Sequence, residues 1–168
     1  RAAALHPAPA APVTRTPREF LARLDGLRVG DDPANGTLVE SHFFHPELGI
    51  ALRFPAGWQT RNTPRAALGH TRDKEAAVLL TVAGKGSDPG QVARQAEREA
   101  GVPLLERATT LQVNGLPAVR SVVAADGARG ATTLDFTWIA HGGVGYRIVG
   151  VSPTPRYGAY RPLFDQAV

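Results

Sequence analysis

The sequence has no cysteine and no methionine among its 168 residues. The absence of cysteine excludes disulfides, thiolate nucleophiles and sulfur metal ligands together. It does not fix the compartment, since many exported proteins also lack cysteine. No apolar run approaches the roughly 18 residues that a membrane-spanning helix needs, so no membrane span is predicted. No signal peptide is visible either.

Lysine is also scarce, because only two of the 19 basic residues, Lys74 and Lys85, are lysines. The net charge of +4 therefore comes from arginine, and the arginines are scattered along the chain. A groove for nucleic acid needs basic residues gathered on one face with aromatic residues beside them. The sequence therefore predicts no nucleic-acid partner.

The first 36 residues are predicted to precede the folded domain. Residues 1–15 are rich in alanine and proline, which is typical of an extended linker. The segment 16–19 is a capping box with proline at the first helical position, and apolar residues follow at helical spacing. We interpret 1–36 as a linker and a capped helix from the end of a preceding domain, and 37–168 as one domain. The start at Arg1 and a helical pattern still running at Val168 suggest a domain cut from a longer protein.

The rest of the chain alternates strand and turn signals. Strands are predicted over 37–44, 50–54, 65–70, 76–83, 109–113, 116–125, 131–140 and 144–151. Helices are predicted over 89–100, after the cap Asp88, and from Tyr157 to Val168, with an interruption or restart near Pro162. We expect an α+β fold, an antiparallel sheet of six or seven strands flanked by helices.

Two hairpins have specific turn chemistry. Asn114-Gly115 between two alternating runs is the strongest hairpin signal in the chain. At 141–143 we expect a three-residue loop, which pairs Trp138 with Tyr146 and Phe136 with Ile148. That register places Asp135 and Arg147 diagonally on one face, where they can form an ion pair.

No catalytic constellation is found. A zinc peptidase helix needs His-Glu-x-x-His, which is absent. His42 and His45 lie on a predicted strand and its turn, and their odd spacing points them to opposite faces. There is no serine elbow, and Gly84 to Asp88 lacks the phosphate-loop spacing. The carboxylate pairs are expected in turns or on a solvated helix face, so none is expected to have a raised pKa.

The aromatic residues give only a weak indication of binding. Tyr157 and Tyr160 can form a docking surface near the C-terminus, although packing of the helix explains them better. His45 either joins such a surface or fixes its turn. Structural roles are predicted for Phe54, Pro55, Gly57, Trp58, Asn114, Gly115 and Trp138.

Two motifs carry a resemblance to a known family. They are the segment from Phe20 to Pro33 with its Leu-Asp-Gly-Leu core, and the pair formed by 43–50 and 54–58, Phe-Phe-His-Pro-Glu-Leu-Gly-Ile and Phe-Pro-Ala-Gly-Trp. Here the chain resembles the non-catalytic region behind the peptidase domain of bacterial, exported zinc metallopeptidases related to the CAAX-prenyl endopeptidases. The strand exit at Phe54 is also similar to the Mog1/PsbP-like α/β/α fold.

The resemblance implies an accessory role beside a zinc protease. The zinc ligands and catalytic glutamate of the family have no matching positions, so zinc is expected only in the parent peptidase domain and no cofactor in this piece. The implied partners are that peptidase domain, a protein substrate or an envelope component, and the implied location is periplasmic or envelope-associated. The alternative is a free-standing ligand- or partner-binding module of the PsbP/Mog1 type.

Overall fold

The structure, a computed structural model, describes residues 36–127 and 130–168. The predicted linker and first helix lie outside the described residues. Within them the α+β class is confirmed, because antiparallel sheets and two helices account for most of the chain. The elements are β1 (Thr37–Val39), β2 (His42–His45), β3 (Ile50–Arg53), β4 (Gln59–Thr63), β5 (Ala66–His70), β6 (Ala77–Lys85), α1 (Pro89–Ala100), β7 (Thr109–Val113), β8 (Leu116–Gly127), β9 (Gly130–His141), β10 (Val144–Pro153) and α2 (Tyr157–Ala167).

The strands form a large sheet and a small one. The large sheet has seven strands in the order β4-β5-β6-β10-β9-β8-β7, and the small sheet has the order β1-β2-β3. Helix α1 packs on one face of the large sheet, over a core that includes Leu79, Phe136 and Trp138. Helix α2 and the small sheet share the other face, where Phe54 and Phe164 are buried.

Helix α1 has the bounds that the sequence predicts. Its N-cap Asp88 accepts a hydrogen bond from the Gly90 amide at 2.8 Å, and Gly101 ends the helix with φ +65°. The buried face is thin because it consists mainly of Val92, Ala93 and Ala96. Small side chains of this kind let the helix backbone lie close to the sheet.

Helix α2 is continuous, and the predicted interruption at Pro162 is wrong. Pro162 lies inside the helix and is exposed. The helix buries Tyr160, Phe164 and Ala167 against the sheet. This packing outweighs the hydrogen bond that proline removes, because helices in proteins are stabilised mainly by tertiary contacts.

The N-terminal part of the domain differs from the prediction in two places. The predicted strand 37–44 is a hairpin of two short strands, since Glu40 adopts φ +55° at the turn between β1 and β2. Strand β4 was not predicted at all. Its sequence Gln-Thr-Arg-Asn-Thr has no apolar alternation, and it pairs along its full length with β5.

The predicted register of β9 and β10 is wrong by one residue. Gly142 and Gly143 adopt φ +58° and +77°, which makes a two-residue turn closed by His141 and Val144. Trp138 therefore lies opposite Arg147, and a one-residue shift turns every side chain to the other face. Asp135 lies on the α2 face and Arg147 on the α1 face, so the predicted ion pair is absent.

Candidate functional site

A cleft opens between the small sheet and the α2 face of the large sheet. Its volume is about 70 Å³. One wall comes from β2 and the start of β3, the floor from β6 and β10, and the other wall from the turn between β4 and β5. The lining residues are Phe43, His45, Leu48, Ile50, Asn62, Thr63, Pro64, Arg65, Ala66, Ala67, Leu80, Thr81, Val82 and Tyr146.

Strand β2 presents His45 to this cleft. Alternation along the strand puts Phe43 and His45 on one side, with their rings edge to face at 6.3 Å. His42 and Phe44 stack on the other side at 6.0 Å. The two histidines thus point to opposite faces, as their spacing predicts. Within the described residues His45 Nδ1 is buried and has no hydrogen-bond partner.

One turn of 3-10 helix holds the wall in place. It covers Pro46–Leu48 and ends at Gly49, whose φ of +62° is one that glycine adopts without strain and whose amide donates to the Pro46 carbonyl at 3.1 Å. The turn returns the chain into β3 so that Leu48 and Ile50 both line the cleft. The Tyr146 hydroxyl donates a long hydrogen bond of 3.4 Å to the Leu48 carbonyl, and burial raises the pKa of Tyr146.

The opposite wall adds a positive charge at the rim. Thr63 closes the turn between β4 and β5, since its Oγ1 accepts from the Ala66 amide at 3.0 Å. This turn exposes Arg65 beside the cleft. At the floor Val82 remains 41% exposed. The cleft therefore combines apolar walls, the imidazole of His45 and a guanidinium at the entrance.

The two tyrosines of the predicted docking surface lie elsewhere. The Tyr157 hydroxyl donates to Asp135 Oδ2 at 2.8 Å, and burial together with this carboxylate raises the pKa of Tyr157 to about 12. The Tyr160 hydroxyl donates to Glu75 Oε2 at 2.9 Å. Neither lines the cleft, so the structure does not bring them together with His45.

Some carboxylates that the sequence placed in solvent have partners. Glu75 is half-buried and also accepts a hydrogen bond from Arg156, whose guanidinium lies 5.4 Å from the Tyr160 ring centre. Glu97 accepts hydrogen bonds from the amides of Leu104 and Leu105, at 2.8 and 3.0 Å. These contacts attach loops and helix ends to the sheet, which is a structural role.

The residues with predicted structural roles lie in the core or in turns. Phe54 and Pro55 are fully buried. Trp58 is half-buried and contacts Tyr160 and Phe164 edge to face, both at 6.4 Å. Gly57, Asn114 and Gly115 have positive φ in turns. Trp138 is completely buried and stacks on Phe136 at 5.2 Å.

Sequence reasoning missed most of the cleft. Arg65 is not singled out by the sequence, because β4 is not predicted and the turn between β4 and β5 is therefore not recognised. Across residues 36–127 and 130–168, no group of three or more histidine or carboxylate side chains is placed to hold a metal ion. No helix in these ranges has the length and apolar character to cross a membrane.

No family model matches the chain, and no curated protein matches its sequence. A structure from Bacteroides thetaiotaomicron VPI-5482, solved at 1.50 Å resolution, is 12% identical with a TM-score of 0.48 and covers 62% of the chain. The chain spans only 38% of that protein. A Pseudomonas aeruginosa protein of unknown function is 17% identical with a TM-score of 0.45, over 79% of this chain and 93% of its own.

Proposed function

We propose that this domain is a non-catalytic binding module, and that its cleft holds an aliphatic group next to a carboxylate. The observation that supports this proposal most is His45, which lines the cleft and whose Nδ1 is buried and has no hydrogen-bond partner among the described residues. A buried polar atom without a hydrogen bond costs about 1–3 kcal/mol. A ligand that supplies the missing hydrogen bond recovers part of that free energy on binding.

The lining residues favour this ligand chemistry. Phe43, Ile50 and Leu80 offer apolar contacts, whereas Arg65 at the rim attracts an anion. The His45 ring can donate to a carboxylate oxygen from Nδ1 in one tautomer or when protonated. The ligand thus enters with its aliphatic end first and leaves its carboxylate between the imidazole and the guanidinium.

The cleft volume limits the size of the ligand. Drug-sized ligands occupy pockets of about 300–1,000 Å³, and the volume here is about 70 Å³. It suits a group of a few carbon atoms. Such a group is the end of a small branched acid or the C-terminal residue of a peptide. Both present an aliphatic group next to a carboxylate.

The test is an NMR titration of the isotope-labelled domain with isovalerate and with a short peptide ending in leucine. A peptide with an amidated C-terminus is the negative ligand. His45→Phe removes Nδ1 and fills the cleft, and His42→Phe is the matched control on the opposite face of the same strand. We expect saturable shifts at the cleft that His45→Phe abolishes and His42→Phe preserves. Equal effects of the two substitutions, or no shifts with either ligand, would refute the proposal.

We further propose that the module is an accessory domain of an exported zinc metallopeptidase, located in the periplasm or envelope. The support is the resemblance of the segment 43–58, whose first half also lines the cleft. The experiment compares proteolysis by the full-length gene product with that of a version lacking 37–168 and of one carrying His45→Phe. A narrowed substrate range in both supports the accessory role. Unchanged proteolysis, or a full-length product without a zinc peptidase, would favour the free-standing PsbP/Mog1-like module.

A further inference from the structure

The large sheet ends at β7, and β7 itself has none of the sequence features that usually prevent an edge strand from pairing with another strand. Exposed edges in proteins normally carry charges, prolines or bulges, or are covered by other chain segments. Strand β7 reads Thr-Thr-Leu-Gln-Val, without charge or proline, and pairs with β8 in an unbroken register. In the described part of the chain no other strand pairs with β7.

The opposite edge of the same sheet, strand β4, is protected. Strand β4 carries the charge of Arg61, and residues that flank β1 at its two ends lie beside it. Asn62 Nδ2 donates to the Gly36 carbonyl at 2.8 Å, and Thr60 Oγ1 donates to the Glu40 carbonyl at 3.3 Å. One edge is therefore covered and charged, and the other presents a regular, uncharged strand.

The hairpin register decides which backbone groups of β7 face outward. A two-residue turn at Asn114-Gly115 is closed by a hydrogen-bonded pair, here Val113 and Leu116. Hydrogen-bonded and non-hydrogen-bonded pairs alternate along an antiparallel ladder. The amide and carbonyl groups of Val113, Leu111 and Thr109 therefore point to β8. Those of Thr110 and Gln112 point away from the sheet.

These outward groups fit a second copy of the same strand. In an antiparallel pair with its two-fold axis at Leu111, Thr110 of one copy lies opposite Gln112 of the other. Both residues have outward backbone groups, so the pairing forms four hydrogen bonds across the axis. The two Leu111 side chains then meet in the close, non-hydrogen-bonded position, and no like charges face each other.

We propose that the domain forms a symmetric dimer by antiparallel pairing of β7 with β7 of a second copy. The joined sheets form one continuous sheet across the two-fold axis. We favour self-pairing over pairing with an unrelated strand for two reasons. The outward backbone groups of β7 are placed symmetrically about Leu111, and the residue on the axis is apolar, so both features suit a two-fold arrangement. This interface is separate from the cleft, so the proposal does not depend on the proposed ligand.

The experiment is sedimentation equilibrium of the full 168-residue chain over a wide concentration range. We expect a concentration-dependent dimer. Leu111→Lys and Leu111→Glu each place like charges on the two-fold axis and should abolish it, whereas Val39→Lys, the same kind of change on an exposed strand of the small sheet, should not. An equimolar mixture of Leu111→Lys and Leu111→Glu should restore the dimer, because opposite charges then meet.

Several outcomes would overturn the proposal. These are a monomer at every concentration, a dimer that survives Leu111→Lys, or a mixture of the two charged variants that stays monomeric. Circular dichroism checks that the variants fold. Should the lysine variant fail to fold, Thr110→Pro provides the second test, because it removes only an outward-facing amide. Amide exchange of Thr110 and Gln112 that is slow at all concentrations would show that another part of the same chain covers this edge, and this would also overturn the proposal.

Discussion

Arg120 on β8 holds the carboxylate of Asp135 on β9 with two hydrogen bonds, from Nε at 2.8 Å and from Nη2 at 2.5 Å. The Asp135 side chain is 2% exposed and the Arg120 side chain 17%. Arg120 also contacts Asp165 of α2 at 2.5 Å, and Tyr157 donates to Asp135. One guanidinium thus connects the sheet to helix α2, and its pKa is raised chiefly by the hydrogen bonds to Asp135.

Breaking this buried pair should be costly. Arg120→Met leaves the Asp135 carboxylate buried with, among the described residues, only the Tyr157 hydroxyl as a side-chain partner, and we expect a loss of about 3 kcal/mol in the free energy of unfolding. The double variant Arg120→Met, Asp135→Leu should recover most of that loss, because no buried charge remains. Urea unfolding measures both. Arg94→Met, which breaks an exposed pair with Asp88 at 3.8 Å, is the control and should cost less than about 1 kcal/mol.

Tyr157 should make the fold sensitive to alkaline pH. Its pKa rises from 10.0 to about 12 in the folded protein, mainly because of burial. Between these two values the unfolded chain has lost the phenolic proton and the folded chain keeps it, so stability falls as pH rises through this interval. Unfolding measured at several pH values should show a smaller alkaline decline in Tyr157→Phe than in the native protein. An identical decline in both would contradict this assignment.

Two glycines of β10 mark where helices contact the sheet. A Cβ at Gly150 would lie 2.5 Å from the Phe164 ring, and a Cβ at Gly145 would lie 2.6 Å from Val92. Alanine at either position should therefore destabilise the fold by about 1–3 kcal/mol through overpacking. Gly158→Ala is the matched control, since nothing lies within 4 Å of the added Cβ in helix α2, and it should stabilise the protein by about 0.5–1 kcal/mol. Thermal unfolding distinguishes a loss of stability from a gain.

Arg147 should contribute little to stability or oppose it. Its Nε is buried without a hydrogen-bond partner within the described residues, and burial lowers its pKa, which the charge of Glu99 only partly offsets. Arg147→Met keeps the aliphatic packing and removes the half-buried charge. We expect an unchanged or higher free energy of unfolding, in contrast to Arg120→Met. A loss as large as that of Arg120→Met would show that Arg147 has a strong partner.

From the sequence, Asp135 is paired with Arg147, whereas in the structure its partner is Arg120. The sequence predicts the strands β9 and β10 and the glycines between them, but the three-residue loop that it favours is wrong, since the structure has a two-residue turn. Favourable aromatic pairing supported the wrong loop, and Gly142 and Gly143 supported the right one through their positive φ. Because a single slip exchanges the faces, the partner of Asp135 was assigned wrongly.

The cleft was partly predictable. Strand alternation alone separates His45 from His42, and proline and glycine at 46–49 indicate the turn between β2 and β3. The opposite wall includes Arg65 and the floor includes Tyr146, and both residues lie far from His45 along the chain. Strand β4 is stabilised by pairing with β5 rather than by apolar alternation, so no local pattern indicates the wall beside it.

The most direct test of the binding proposal is the position of a bound ligand. Intermolecular nuclear Overhauser effects between the methyl protons of isovalerate and the labelled domain identify the protein groups that it contacts. We expect contacts to Phe43, Ile50 and Tyr146, and their loss in His45→Phe. Contacts to Tyr157 and the exposed face of α2, with none in the cleft, would contradict the account.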